Sequence, residues 1–166
     1  MFDLINGTPV HPLVVHAIVV LLPLAVLGTF AIAAVPRWRA TYGPLVVAAA
    51  AIATVLIPVA TASGEELEKR VGDPEYHAEM GEMLIWFALP LLVLVTALWW
   101  LARRASRAER DDDTLADSPH GARLLSTVAA LAVVAALATS FQVYRVGDSG
   151  AQAVWDDATT SQSGGS

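Results

Sequence analysis

The sequence predicts an all-α fold: a bundle of four transmembrane helices with antiparallel up-down neighbours and both termini on the outer side. Three observations predict it. Apolar residues make up 55% of 166, and they gather in four long runs instead of spreading evenly. Charged residues are only 16% of the chain, against about 25% in soluble domains, and they avoid those runs. Arginine and lysine are abundant in alternate connections and sparse in the others.

A hydrocarbon core about 30 Å thick needs roughly 20 apolar residues of helix. The first run, residues 13–35, contains a single ionisable side chain, His16, near its start. The second, residues 45–62, is expected to open at Pro44, since proline is favoured as a first helical residue. The third covers 83–101. The fourth covers 124–146 and reaches no ionisable residue until Tyr144 and Arg145. Barrel strands alternate over about ten residues, so continuous runs argue against them. Four buried helices of a soluble protein would need a polar shell that this chain lacks. The segment Met1–Gly7 has no positively charged region of the kind that opens a secretory signal, so the first run reads as a retained helix.

Pro23, Pro58 and Pro90 fall inside three of the runs. Each removes a backbone donor, which reads as a packing kink or as room for a bound group. Alanine-rich stretches at 48–51 and 129–136 let helices approach closely. Residues 1–155 form the membrane domain on this reading. Residues 108–118 are an acidic linker flanked by basic residues, and 156–166 a low-complexity, disordered tail.

Orientation follows from arginine and lysine alone. Arg37, Arg39, Arg103, Arg104, Arg107, Arg110 and Arg123 belong to two alternate connections; Lys69, Arg70 and Arg145 belong to the opposite side. The first set is expected to face the cytoplasm, which puts the termini and residues 63–82 outside. With a net charge of -6 and no basic footprint, nucleic acid is not an expected partner. The chain has no cysteine, which excludes disulfides, thiolate metal sites and a cysteine nucleophile.

That topology gathers scattered polar residues at the outer helix ends: His11, His16, Glu65, Glu66, His77, Glu82, Tyr144, Arg145 and Asp148. His11 and His16 are five residues apart, roughly 140° around a helix, so that helix alone makes no two-histidine site. Polar groups at helix ends are ordinary where water returns. His16 is the harder case, because a polar group inside a span is expensive and seeks a partner. One reading makes His16 and His77 candidate ligands to haem b, with His11, His16, His77, Glu65, Glu82 and Asp148 candidates for a divalent metal. The alternative is a non-catalytic small membrane subunit or scaffold with a structural polar cluster. A proton path is weakly supported, because the inner halves of the spans hold no acidic or histidine relay. Ser63 and Ser149 form no nucleophile constellation, which leans away from an enzyme. The expected partners are the lipid bilayer and, as candidates, a membrane redox partner or a second copy of the chain.

The phrase His11-Pro12-Leu13-Val14-Val15-His16 resembles the hallmark of a bacterial family catalogued as domain of unknown function 2231, a set of predicted four-helix membrane proteins. Supporting matches are Ser63-Gly64-Glu65, the pair His77 and Gly81, and the stretch from Tyr144 to Ala151. The resemblance runs from about Gly7 to Trp155. It implies four helices and a plasma-membrane address, and no established activity. Some relatives are joined to redox domains, which leans toward electron transfer or haem. After His16 many relatives carry Phe-Pro, whereas Ala17-Ile18 stands here. Asp148 stands where some relatives have histidine, which implies that position 148 is no indispensable iron ligand, although an aspartate suits a harder metal.

Overall fold

The four apolar runs fall within four long helices in the computed structural model, which describes residues 4–5, 8–71, 80–108 and 119–163, and side chains over 12–64, 80–108 and 120–151. A short ribbon comes first. Strands β1 (Leu4–Ile5) and β2 (Thr8–Pro9) pair antiparallel, Leu4 opposite Pro9 and Ile5 opposite Thr8. Helix α1 (Val10–Ala34) follows, then a 3-10 turn (Pro36–Trp38), α2 (Arg39–Val71), α3 (Ile85–Ala108) and α4 (Pro119–Ser163). The helix of α4 takes in residues 156–163, part of the stretch whose composition reads as a tail.

Four segments are long and apolar enough to cross a membrane: Pro12–Ala34, Pro36–Gly64, Met80–Ala108 and His120–Ala151. The shortest has 23 residues, about 34 Å at the helical rise of 1.5 Å per residue. Their outward surfaces are as apolar as their contacts. Val20, Leu27, Leu45 and Val55 are all about two-thirds exposed. Lipid satisfies such a surface and water does not.

The helices touch in a closed ring: α1 with α2, α2 with α3, α3 with α4, and α4 with α1. Two apolar clusters fill the space between them. One joins Ile18 and Leu22 of α1, Ala53 and Ile57 of α2, Ala88 and Leu91 of α3, and Ala136 of α4. The other joins Ala25 and Ile32, Val46 and Ala50, Val95 and Leu98, and Ala129 from the same four helices. Alanine recurs because dispersion, not water release, holds membrane helices together, and small residues bring backbones close.

Prolines are placed differently from the sequence expectation at one point. Pro44 does not open α2; it lies inside that helix, which starts at Arg39. The role of first-turn proline falls to Pro36, in the 3-10 turn, where a missing N–H leaves nothing unpaired. Arg39, expected in a loop, is consequently a buried helical residue.

Two glycines set the closest helix approaches. A Cβ added at Gly43 would meet Trp99 at 2.5 Å from Cδ1 and 2.9 Å from Cβ, and one at Gly28 would meet Val46 Cγ2 at 2.7 Å. The Trp99 atoms near Gly43 include the stem of the side chain, so they cannot swing aside. Gly43→Ala is expected to lower stability by about 1–3 kcal/mol through overpacking. Gly81→Ala, with nothing within 4 Å of the added carbon, should be neutral or slightly stabilising. Thermal unfolding of both variants in one detergent checks the contrast.

Candidate functional site

The early part of α1, the chain before α3 and the middle of α4 pack together. Val14, Val15 and Ile18 of α1, Leu84 just before α3, and Val143 of α4 all belong to one apolar cluster. Buried between α3 and α4 at this place is an amide. Gln142, 2% exposed, donates from Nε2 to the Met80 carbonyl at 3.1 Å. One turn away on α4, the fully buried Thr139 shares its single hydroxyl proton between the Phe87 carbonyl at 3.1 Å and the Ala135 carbonyl of its own helix at 2.8 Å.

The Met80 acceptor is available for a local reason. The chain before α3 is tightened: the N–H groups of Leu84, Trp86 and Phe87 donate three residues back, to Gly81, Met83 and Leu84. Met80 loses its usual partner, because the Leu84 N–H goes to Gly81. Gln142 replaces it. Phe87 lies in the turn before Pro90, whose missing N–H would have served the Trp86 carbonyl, so the Thr139 bond to Phe87 is a separate tie between α3 and α4. Ala129, Ala132, Ala136, Thr139, Gln142 and Ser149 form one buried stripe of α4 at helical spacing.

His16 is oriented away from this interior. It shares an exposed face of α1 with Leu13, Val20, Leu24 and Leu27, while Ile18, Leu22, Ala25 and Thr29 face inward. Its Nδ1 lies 2.6 Å from the Pro12 carbonyl. A carbonyl only accepts, so Nδ1 carries the proton and Nε2 points outward. Glu82 and Asp148 are exposed. Tyr144 is exposed, and the Arg145 guanidinium stands 6.0 Å from the centre of the Phe141 ring. Ser63 donates to the Ala60 carbonyl, and the buried Ser149 to the Val146 carbonyl. The backbones of His11, Glu65 and Glu66 are helical, in α1 and α2, and their side chains lie outside the described set. His77 lies outside the described residues altogether. Among the described residues, no three His, Asp or Glu side chains form a group that would hold a metal ion.

Sequence reasoning missed Gln142, Thr139 and Arg39. A signal existed for the first two. Gln142 is a lone amide inside an apolar run, three residues after Thr139 and on the face of the recurring alanines. Polar residues so placed tie helices together.

No curated protein and no solved structure matches the chain. A family model described as a predicted membrane protein matches residues 7–163. The match takes in the two-histidine phrase, all four candidate spans and the Thr139–Gln142 pair. The chain thus belongs to the family of predicted membrane proteins termed domain of unknown function 2231.

Proposed function

We propose that the protein is a non-catalytic small membrane subunit or scaffold: four up-down helices in a bacterial plasma membrane, both termini outside. The observation that carries this reading is the bond from buried Gln142 to the Met80 carbonyl. Among the buried polar side chains, Gln142, Thr139 and Arg39 reach carbonyls outside their own helix and Thr29 and Thr54 bond within theirs, whereas His16, Glu82 and Asp148 occupy exposed positions. The up-down order is supported by the two apolar clusters. One draws on the early part of α1 and α3 and the late part of α2 and α4; the other draws on the complementary parts. The outward termini rest on the arginine and lysine distribution. As a subunit, the protein should yield one reproducible neighbour, a second copy or another protein, when cross-linked in native membranes. Absence of any neighbour would contradict that role.

A second reading, a haem or metal ligand in a redox-linked role, is favoured by one observation. The Pro12 carbonyl holds the His16 ring by Nδ1 and leaves Nε2 for another partner, as backbone carbonyls do for histidines that ligate metals. The visible spectrum of protein purified in mild detergent separates the readings. The scaffold predicts no Soret band and no stoichiometric metal. A Soret band lost in both His16→Ala and His77→Ala would replace it with the haem reading.

A further inference from the structure

The distal part of α3 carries the run Trp99-Trp100-Leu101-Ala102-Arg103-Arg104, which the proposed function leaves unused. Each arginine lies over the indole one turn before it. Arg103 Cζ is 5.7 Å from the Trp99 ring centre, and Arg104 Cζ is 5.3 Å from that of Trp100. Trp99 packs directly on α2 at Gly43, so these ladders stand beside the beginning of that helix. There Arg37, Trp38 and Tyr42 are exposed, with the Trp38 ring edge-on to Tyr42 at 5.7 Å. The result is one surface of exposed rings and exposed guanidiniums where two spans end.

Three features point to what covers it. Among the described residues, Arg37, Arg103 and Arg104 meet no carboxylate. Arg39, by contrast, is buried, with Nε and Nη2 donating to the Ile32 and Ala33 carbonyls, so it is not part of the surface. Second, Arg103 and Arg104 lean back over Trp99 and Trp100 in the ordinary direction of helical side chains, which sets each guanidinium beside a ring of the kind enriched at membrane boundaries. Third, a guanidinium held beside an indole still offers its N–H fork, a match for two oxygens of a phosphate. Tryptophan and tyrosine rings suit the same boundary layer.

We propose that this surface binds the phosphate of an anionic phospholipid, with Arg103 and Arg104 holding the phosphodiester and Trp38, Tyr42 and Trp100 lying against the glycerol and upper acyl chains. The occupant is a membrane lipid and not free phosphate, because the exposed Trp38, Tyr42 and Trp100 rings supply apolar contact that an inorganic ion cannot use. This inference is independent of the scaffold reading.

The test uses the full chain in nanodiscs of phosphatidylglycerol mixed with phosphatidylcholine, with retained lipids counted by native mass spectrometry after release into detergent. Wild type should retain phosphatidylglycerol over phosphatidylcholine by roughly thirtyfold, the scale expected of two arginines near a membrane surface at about 1 kcal/mol each. R103Q/R104Q should fall to near parity. The control R123Q/R145Q, with the same change in net charge, should keep the wild-type preference. R103K/R104K keeps the charge and loses the planar fork, so its preference should drop at least severalfold. A lysine pair that matches wild type would reduce the site to surface charge and overturn the proposal. So would equal losses in the control, or displacement of the lipid by excess inorganic phosphate. Both arginines are exposed, and an unchanged melting temperature in pure phosphatidylcholine nanodiscs shows that a lost preference is not lost folding. Should the glutamine pair fail to fold, the lysine pair decides alone.

Discussion

Arg39→Leu is expected to lower the stability of the bundle by about 3 kcal/mol, the largest effect of any single substitution considered. An α-helix ends with four carbonyls that lack intrahelical donors. In α1 the Val35 N–H takes the Ala31 carbonyl at 3.0 Å. Arg39 takes the next two: Nε donates to Ile32 and Nη2 to Ala33, each at 2.9 Å. The guanidinium also sits at the negative end of the α1 dipole, where a cation is favoured. Each charge-assisted bond contributes about 1.5–3 kcal/mol, and release of the buried cation to water offsets part of the total. Leucine would leave two buried carbonyls without donors. Lysine keeps the charge but lacks the fork that reaches both carbonyls, so Arg39→Lys should lie between leucine and wild type. Reversible unfolding in mixed micelles measures the series. A loss below about 1 kcal/mol for leucine would mean that water caps α1 equally well.

Gln142→Ala comes next, at about 2 kcal/mol. Interhelical hydrogen bonds in membranes average about 0.6 kcal/mol and reach about 1.7. Here the acceptor stays behind, buried and unpaired, and an unsatisfied buried group costs about 1–3 kcal/mol. A cavity adds to that. Thr139→Val removes the neighbouring bond while keeping the shape, so it should cost less, about 1 kcal/mol. The two side chains share one helix face and one pair of helices, so the double variant should fall short of the sum of the singles. The same unfolding assay reads this directly.

The spans were legible because lipid imposes length and apolarity, and both are written in composition. The inside face of each helix was not legible. A soluble helix announces its core by an apolar stripe. In α1 the exposed Leu13, Val20, Leu24 and Leu27 are as apolar as the buried Ile18, Leu22 and Val26, so nothing in the sequence says toward which side His16 points. Its five-residue spacing from His11 excludes a shared face and says no more. Arg39 was misplaced because proline signals a helix start wherever it tolerates one, and the chain offers both Pro36 and Pro44; the earlier one serves. Gln142 was visible as an anomaly, yet its partner is a backbone carbonyl at Met80, freed only by the tightened turn before α3. No residue pattern encodes that acceptor. It was not anticipated that the buried polar residues between α3 and α4 would be an amide and a threonine bridging helices.

The central claim is that buried hydrogen bonds hold this bundle and that His16 does not anchor a bound group. Its most direct test is the melting temperature of the purified wild type beside Gln142→Ala and His16→Ala in one detergent. The account predicts a fall of several degrees for Gln142→Ala, about 2–4 °C for each kcal/mol lost. His16→Ala should change little, since it loses only an exposed contact with its own helix. A ligand that binds the folded state stabilises it, so loss of an anchoring histidine would carry that stabilisation away. The reverse order, His16→Ala melting well below Gln142→Ala, would contradict the account.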